Sequence, residues 1–258
     1  MLGAIAGDFI GSVHEYGAAK RKDFPLLHPR CTVTDDSILT IAVAEWLLDG
    51  RDLVTKFHYM VEQYPGAGWG MMFVRWGRTK KREPYNSFGN GAAMRVSPVG
   101  WAFSTLEETL AKAADSSAVT HNHPEGIKGA QAAAVAVFLA RTTRDKNVIR
   151  REISSRFGYD LDRTVETIRP TYSSNETCQR TVPEAIVAFL DAVDFEDTIR
   201  NAISLGGDAD TLACIAGGIA HAYYGGVPES IRDPVLASLP EPLRKVWDEF
   251  RERYAVPV

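Results

Sequence analysis

Two short stretches hold the side chains best suited to chemistry. Near the C-terminal end, Ser204-Leu205-Gly206-Gly207-Asp208-Ala209-Asp210-Thr211 sets two carboxylates one residue apart, with a hydroxyl next. Near the start, Thr34-Asp35-Asp36-Ser37 repeats the arrangement. Each opens a long apolar run, over residues 212–224 and 38–48. Such runs are too long for ordinary strands and predict buried helices. Carboxylates at a helix start can cap free amides and favour its positive end. The same oxygens are ligands for hard divalent cations. Either stretch alone is more readily a cap than a ligand set, since Asp and Thr are favoured there. Brought together, however, four carboxylates would repel one another unless cations were bound. The pair therefore points to an oxygen-ligand site for Mg²⁺ or Mn²⁺.

The elements that must position these groups follow from the hydrophobic pattern. Residues 2–15 predict a helix in which Gly3, Gly7 and Gly11 recur every fourth position, a flat face for close packing. Each glycine costs roughly 1 kcal/mol of helix propensity against alanine. Asp8 and Glu15 are seven apart and share a face. Asp8 is expected to be a hydrogen-bonded structural carboxylate. Glu15, at the helix end before a turn at Tyr16-Gly17, is expected to project into a cleft. Residues 16–33 predict a loop whose Lys20, Arg21 and Lys22 form a solvated face.

A helix over 52–64 is expected to end in the turn Pro65-Gly66-Ala67-Gly68-Trp69-Gly70, where a ligand can approach the backbone closely. Residues 75–84 predict a basic turn. Residues 86–95 (NSFGNGAAMR) combine a hydroxyl, amides and glycines before a short apolar helix, as phosphate-cradling loops do. The Gly-Lys-[Ser/Thr] ending of a Walker motif is absent. Arg95 fits either a phosphate contact or a structural ion pair. His121-x-His123 suggests a transition metal, but two histidines make no zinc site and the carboxylates favour Mg²⁺ or Mn²⁺. Further helices are expected over 106–119, 125–141, 146–157, 184–190 (opened by Val182-Pro183) and 195–205. The stretch 158–180 should be irregular, and Pro234, Pro240 and Pro242 should break the tail. With no strand pattern or internal repeat, the expectation is one all-α domain over 1–258.

The chain has 258 residues, 45% hydrophobic, with formal net charge −4. That balance argues against a general nucleic-acid or anionic-membrane surface. Its three cysteines share no CxxC spacing and make no disulfide framework, so a reducing, cytoplasmic location is expected. The apolar run at residues 1–13 is interrupted by Gly3, Gly7, Asp8 and Gly11 and reads poorly as a leader.

GAIAGDFIGSVHE, TDDS, SFGNGAAMR, VTH and LGGDADTLACIAGGIAHAYYG together resemble the ADP-ribosylglycohydrolases, in the family's order and over nearly the whole chain. The resemblance implies an all-α orthogonal helix bundle with a binuclear Mg²⁺ or Mn²⁺ site. It implies Thr34, Asp35, Asp36, Asp208, Asp210 and Thr211 as metal ligands. Glu15 matches a glutamate that acts at the metals in some members, and Glu15 or Asp36 would serve the attacking water. Gly68, Trp69 and Gly70, with Ser87, Phe88, Gly89, Asn90 and Gly91, resemble the phosphate-binding turns, and His121 lines the cleft. Ser37 stands where many members have threonine, with little effect expected.

The implied reaction cleaves the C1″ bond of ADP-ribose on an acceptor, through an oxocarbenium-like state. Arginine is the favoured acceptor, with serine, O-acetyl-ADP-ribose or a nucleic-acid base as alternatives. The implied partner is an ADP-ribose-modified protein or small molecule, with no membrane. The competing readings are an ADP-ribose-binding protein without activity and a two-metal phosphatase.

Overall fold

A computed structural model describes residues 1–15, 20–173 and 175–258. Among them the protein is all-α: fifteen helices and no named strand. The turn expected at Tyr16-Gly17 lies outside the described residues.

The centre is α13 (Ala209–Tyr224), buried at every position from Ala209 to Ala222. A helix apolar on all sides is satisfied only in a core. Against it lies α1 (Leu2–Gly11), whose ten residues are all buried. The glycine face works as expected. A Cβ on Gly3 would lie 2.2 Å from the Gly217 carbonyl oxygen, one on Gly7 2.0 Å from that of Ala213, and one on Gly11 2.4 Å from the Asp210 Cα. Backbone touches backbone there, so the propensity cost of three glycines is offset by contact that no larger residue permits. The contact also sets Asp8 beside the acidic start of α13.

The sequence places α2 (Asp35–Asp49) and α3 (Leu53–Gln63) well, the latter capped by Asp52. The other helices are α4 (Met71–Arg78), α5 (Gly91–Met94), α6 (Ser97–Ala102), α7 (Leu106–Ala118), α8 (Pro124–Thr143), α9 (Lys146–Phe157), α10 (Val165–Ile168), α11 (Cys178–Asp191), α12 (Phe195–Ser204), α14 (Glu229–Ser238) and α15 (Glu241–Arg253).

Several boundaries differ from expectation, each for a physical reason. Helix α1 stops at Gly11, so Glu15 sits in the following turn, its amide still reaching the Gly11 carbonyl at 3.2 Å. Arg75 and Arg78 belong to the last turn of α4, where cations suit the negative helix end. Pro183 lies inside α11, whose first turn is held from outside by the Cys178 amide on the Phe88 carbonyl. An isolated bridge joins Gly89 to Thr177 beside it. Residues 165–168, expected irregular, form α10 through a Thr164–Thr167 capping box. Pro234 is absorbed within α14, while Pro240 and Pro242 open α15. Lys20 and Arg21 are exposed, as expected of a solvated face, although Lys20 also donates to the carbonyls of Tyr172 and Leu205; Lys22 is half-buried and pairs with Asp197.

No helix among the described residues is long and apolar enough to cross a membrane.

Candidate metal and substrate site

The two acidic stretches, 170 residues apart in sequence, meet. Asp8, Asp36 and Asp210 each offer a carboxylate oxygen within 4.8 Å of the others. Glu15, Asp208 and Asp210 form a second such group. Asp210 belongs to both. Among the described residues, none of Asp8, Asp35, Asp36, Asp208 and Asp210 pairs with a lysine or arginine.

The start of α2 is built by its neighbours. Thr34 occupies the cap position, and its hydroxyl accepts from the Asp36 amide at 3.3 Å while donating to Asp8 Oδ1 at 2.6 Å. Asp8 Oδ2 accepts from the Thr34 amide at 2.9 Å, the Ser37 amide at 3.1 Å and the Ser37 hydroxyl. The Asp35 amide donates to the Ala67 carbonyl at 2.8 Å, which ties the glycine turn to this helix. Asp8 is therefore the hydrogen-bonded carboxylate expected. It is also a member of the acidic cluster, which the sequence reading did not assign. The signal was available: a polar residue on a glycine-faced helix, seven before Glu15.

At α13, Asp208 holds the cap position but makes no side-chain cap bond. Its Oδ2 instead accepts from Asn90 Nδ2 at 2.6 Å, and Asn90 also donates to the Thr181 hydroxyl at 3.1 Å. Simple capping thus fails to explain either acidic pair: Thr34 caps α2, and Asp208 faces sideways. Gly206 and Gly207 both take φ +73°, the left-handed turn that swings the chain into α13.

The electrostatics are those of crowded anions. Burial, followed by the charge of Asp8 and then of its other acidic neighbours, pushes Asp35 and Asp36 well above the usual carboxylate range. Burial and the charges of Asp36 and Asp208 do the same to Asp210. Asp8 is raised to about 6 by burial, against the pull of its four hydrogen bonds from Thr34 and Ser37. Asp36 Oδ1 is buried with no hydrogen-bond partner. Buried oxygens that are neither paired nor protonated are costly. A divalent cation removes that cost, and an all-oxygen donor set suits Mg²⁺, Mn²⁺ or Ca²⁺ rather than zinc.

The remaining expected site residues surround this centre in two turns. Gly68, at φ +88°, lies where an added Cβ would stand 3.5 Å from Asp35 Oδ1. Trp69 stacks on Phe73 with centroids 5.5 Å apart and donates to the Tyr64 carbonyl at 2.7 Å. Gly70 caps α4.

In the second turn, several groups expected to cradle phosphate are engaged within the protein. The Gly89 amide donates to the Ser87 hydroxyl at 3.1 Å, and the Asn90 amide to the Glu176 carbonyl at 2.8 Å. Helix α5 is only four residues long, so its dipole contributes little. Space against Gly89 and Gly91 is bounded by His121: an added Cβ would lie 3.5 and 3.2 Å from its Nε2. Phe88 is exposed and lies near the His123 ring, with centroids 5.2 Å apart.

Two features of the sequence take their structural form here. His121 and His123 do not converge: His123 Nδ1 accepts from the Glu125 amide at 3.1 Å and caps α8, whereas His121 Nδ1 meets the Thr120 hydroxyl at 2.8 Å. Arg95 makes neither an ion pair nor a surface phosphate contact. It is fully buried, donating to the Ser116 carbonyl and the Thr120 hydroxyl, both at 2.9 Å, over the Phe57 ring.

Comparison with known proteins gives the family. The family model for ADP-ribosylglycohydrolases matches residues 1–256. The proteins called ADP-ribosylhydrolase ARH3 from Mus musculus and Homo sapiens are each 28% identical over alignments of 312 positions. These span 89% of this chain and 84% and 86% of the mouse and human proteins. An Archaeoglobus fulgidus protein without assigned function is 31% identical over 54% of this chain and 50% of its own length. A solved structure described as an ADP-ribosylglycohydrolase-related protein complex superposes with a TM-score of 0.68 at 24% identity. That superposition covers 97% of this chain and 96% of the other, and it establishes the fold. The chain belongs to the ADP-ribosylglycohydrolase family and is a hydrolase of glycosyl bonds.

Proposed function

We propose that residues 1–258 form one domain that holds two divalent cations, Mg²⁺ or Mn²⁺, and hydrolyses the C1″ bond between ADP-ribose and an acceptor. The observation that carries this reading is the pair of carboxylate triads sharing Asp210, with no lysine or arginine paired to their aspartates. Thr34, Asp35, Asp36, Asp208, Asp210 and Thr211 would hold the cations, joined by Asp8. Thr34 contributes through its backbone turn as much as its hydroxyl, which Asp8 already engages. Bound there, the cations would neutralise the cluster and supply Lewis-acid binding for vicinal hydroxyls of a ribose.

The protein's own groups then divide the work. Glu15, grouped with Asp208 and Asp210 at the mouth of the helix turn, orients a water and accepts its proton as the water oxygen bonds to C1″. The C1″–acceptor bond breaks with its electron pair on the acceptor, which takes up a proton. Asp36, whose Oδ1 has no hydrogen-bond partner, is the second carboxylate facing that water. The Gly68-Trp69-Gly70 and Ser87–Gly91 turns, with His121, flank the pyrophosphate, using the Gly91 edge of the loop more than its engaged amides.

The favoured acceptor is arginine on a protein. Serine, O-acetyl-ADP-ribose and a modified nucleic-acid base are the alternatives, with the reaction in the cytoplasm and no membrane partner. A panel of ADP-ribosylated acceptors incubated with Mg²⁺ and with Mn²⁺ tests this. Free ADP-ribose from one of them supports the reading. Release of inorganic phosphate instead would make the protein a phosphatase, and binding without product would make it an ADP-ribose-binding protein.

A further inference from the structure

The buried arginine has work to do that neither phosphate contact nor ion pairing explains. Arg95 and Thr120 are both fully buried, and among the described residues Arg95 has no carboxylate partner. Two features hold the cation there. Its Nη2 donates to the Ser116 carbonyl, in the last turn of α7, where the helix end is negative. The Phe57 ring lies 4.7 Å beneath the guanidinium.

The same Nη2 donates to the Thr120 hydroxyl, and the Thr120 hydroxyl lies 2.8 Å from His121 Nδ1. A guanidinium only donates. Thr120 Oγ must therefore accept from Arg95, and among the described residues its single proton has one remaining acceptor in reach, His121 Nδ1. The opposite arrangement, with Nδ1 donating, leaves a fully buried hydroxyl proton without an acceptor, a state folded proteins avoid. Burial and then the Arg95 charge push the imidazole well below its ordinary range, which favours the neutral form. With Nδ1 unprotonated, Nε2 carries the hydrogen. Nε2 is the atom against Gly89 and Gly91.

The His121 backbone is fixed as firmly as its ring. Its amide donates to the Ser117 carbonyl at 2.8 Å, and the Ser117 hydroxyl donates to its carbonyl at 3.0 Å. The Thr120 carbonyl also accepts from the Tyr85 and Ser87 amides at 3.3 and 3.5 Å, so one residue joins the relay to the loop.

We propose that Arg95 and Thr120 are positioning residues that lock His121 in its Nε2–H form, presenting a neutral hydrogen-bond donor to an anionic group, a phosphate oxygen of ADP-ribose, held against Gly89 and Gly91. The identity of that anion rests on the function proposed above; the relay does not.

The test uses protein with ¹⁵N-labelled histidine. Two-bond proton–nitrogen spectra report the tautomer of each of the six histidines, and a His121→Gln sample assigns the signal. The wild type should show His121 neutral with Nε2 protonated. Thr120→Val, which keeps the shape but removes the hydroxyl, should give a mixture of tautomers. It should also weaken ADP-ribose binding, by calorimetry, in proportion to the loss of the Nε2–H form, about twofold for an even mixture. Thr120→Ser should restore both readings. An Nδ1–H tautomer in the wild type would overturn the relay, as would unchanged affinity in Thr120→Val. A wild type with the Nε2–H form that binds no ADP-ribose would instead refute the functional reading and leave the relay standing.

Discussion

At the start of α2 each early amide has an acceptor supplied by the protein. Thr34 and Ser37 donate to Asp8, Asp36 to the Thr34 hydroxyl, and Asp35 to the Ala67 carbonyl. At the start of α13 the capping side chain turns away to Asn90, and among the described residues the Thr211 amide is met only by the neighbouring Asp210 carboxylate, at 2.9 Å. Two motifs of nearly the same composition thus behave differently. The α2 start is held together by the protein's own hydrogen bonds, with Asp8 as its keystone. The α13 start carries the carboxylate common to both triads and has few donors of its own. On the proposed two-cation reading, it is the half that would depend on cations. Similar letters at two helix starts do not imply similar roles; the hydrogen bonds around them decide.

The largest effect expected from breaking this contrast is at Asp210. Asp210→Ala removes the shared oxygens and should lower turnover by ~10³-fold or more, several kcal/mol of lost charge stabilisation, while circular dichroism keeps its helical signal. Turnover near that of the wild type would remove Asp210 from the centre. Next is Glu15→Gln, which keeps shape and loses charge. Turnover should fall by roughly 10²-fold, as for loss of a proton acceptor, with ADP-ribose affinity retained. A rate within about threefold of wild type, measured with affinity on the same sample, would reject the assignment.

Smaller effects sharpen the difference between the two starts. Asn90→Ala frees Asp208 without touching α2. Metal affinity should drop about tenfold, as when the outer partner of a ligand is lost. Titration with Mn²⁺ followed by electron paramagnetic resonance reads this directly, and an unchanged affinity would mean that α13 is as self-sufficient as α2. Smallest is Asp36→Asn in chelator. Removing one of several crowded buried charges should raise the melting temperature of the metal-free protein by about 2–4 °C per kcal/mol of relieved repulsion. A lower melting temperature would mean that Asp36 serves the fold rather than a ligand.

Much of this was legible in the sequence. The glycine face of α1 announced a backbone-to-backbone contact, and that contact is the one with α13. The apolar runs marked α2 and α13, and the two acidic starts marked their meeting point. Less legible were features set by distant partners. Helix α11 begins five residues before Pro183 because the loop at Phe88 and Gly89 holds its first turn, and no local signal encodes that. Asp8 read as structural, which its bonds from Thr34 and Ser37 bear out, but its place in the acidic cluster depends on Asp36 and Asp210, which lie on other elements. Arg95 offered only charge to the reader, whereas its role comes from the end of α7 and the ring of Phe57. His121 and His123 looked like a pair along the chain, but each is oriented by a different helix end.

The central claim is that the two helix starts converge to hold two divalent cations with Asp210 between them. The most direct measurement is anomalous diffraction, near the manganese edge, from crystals grown with saturating Mn²⁺. Two peaks are expected about 3.5–4 Å apart, both within ligand distance of Asp210, one towards Asp8 and Asp36 and the other towards Asp208 and Glu15. A map with no peak between the two helix starts would contradict it.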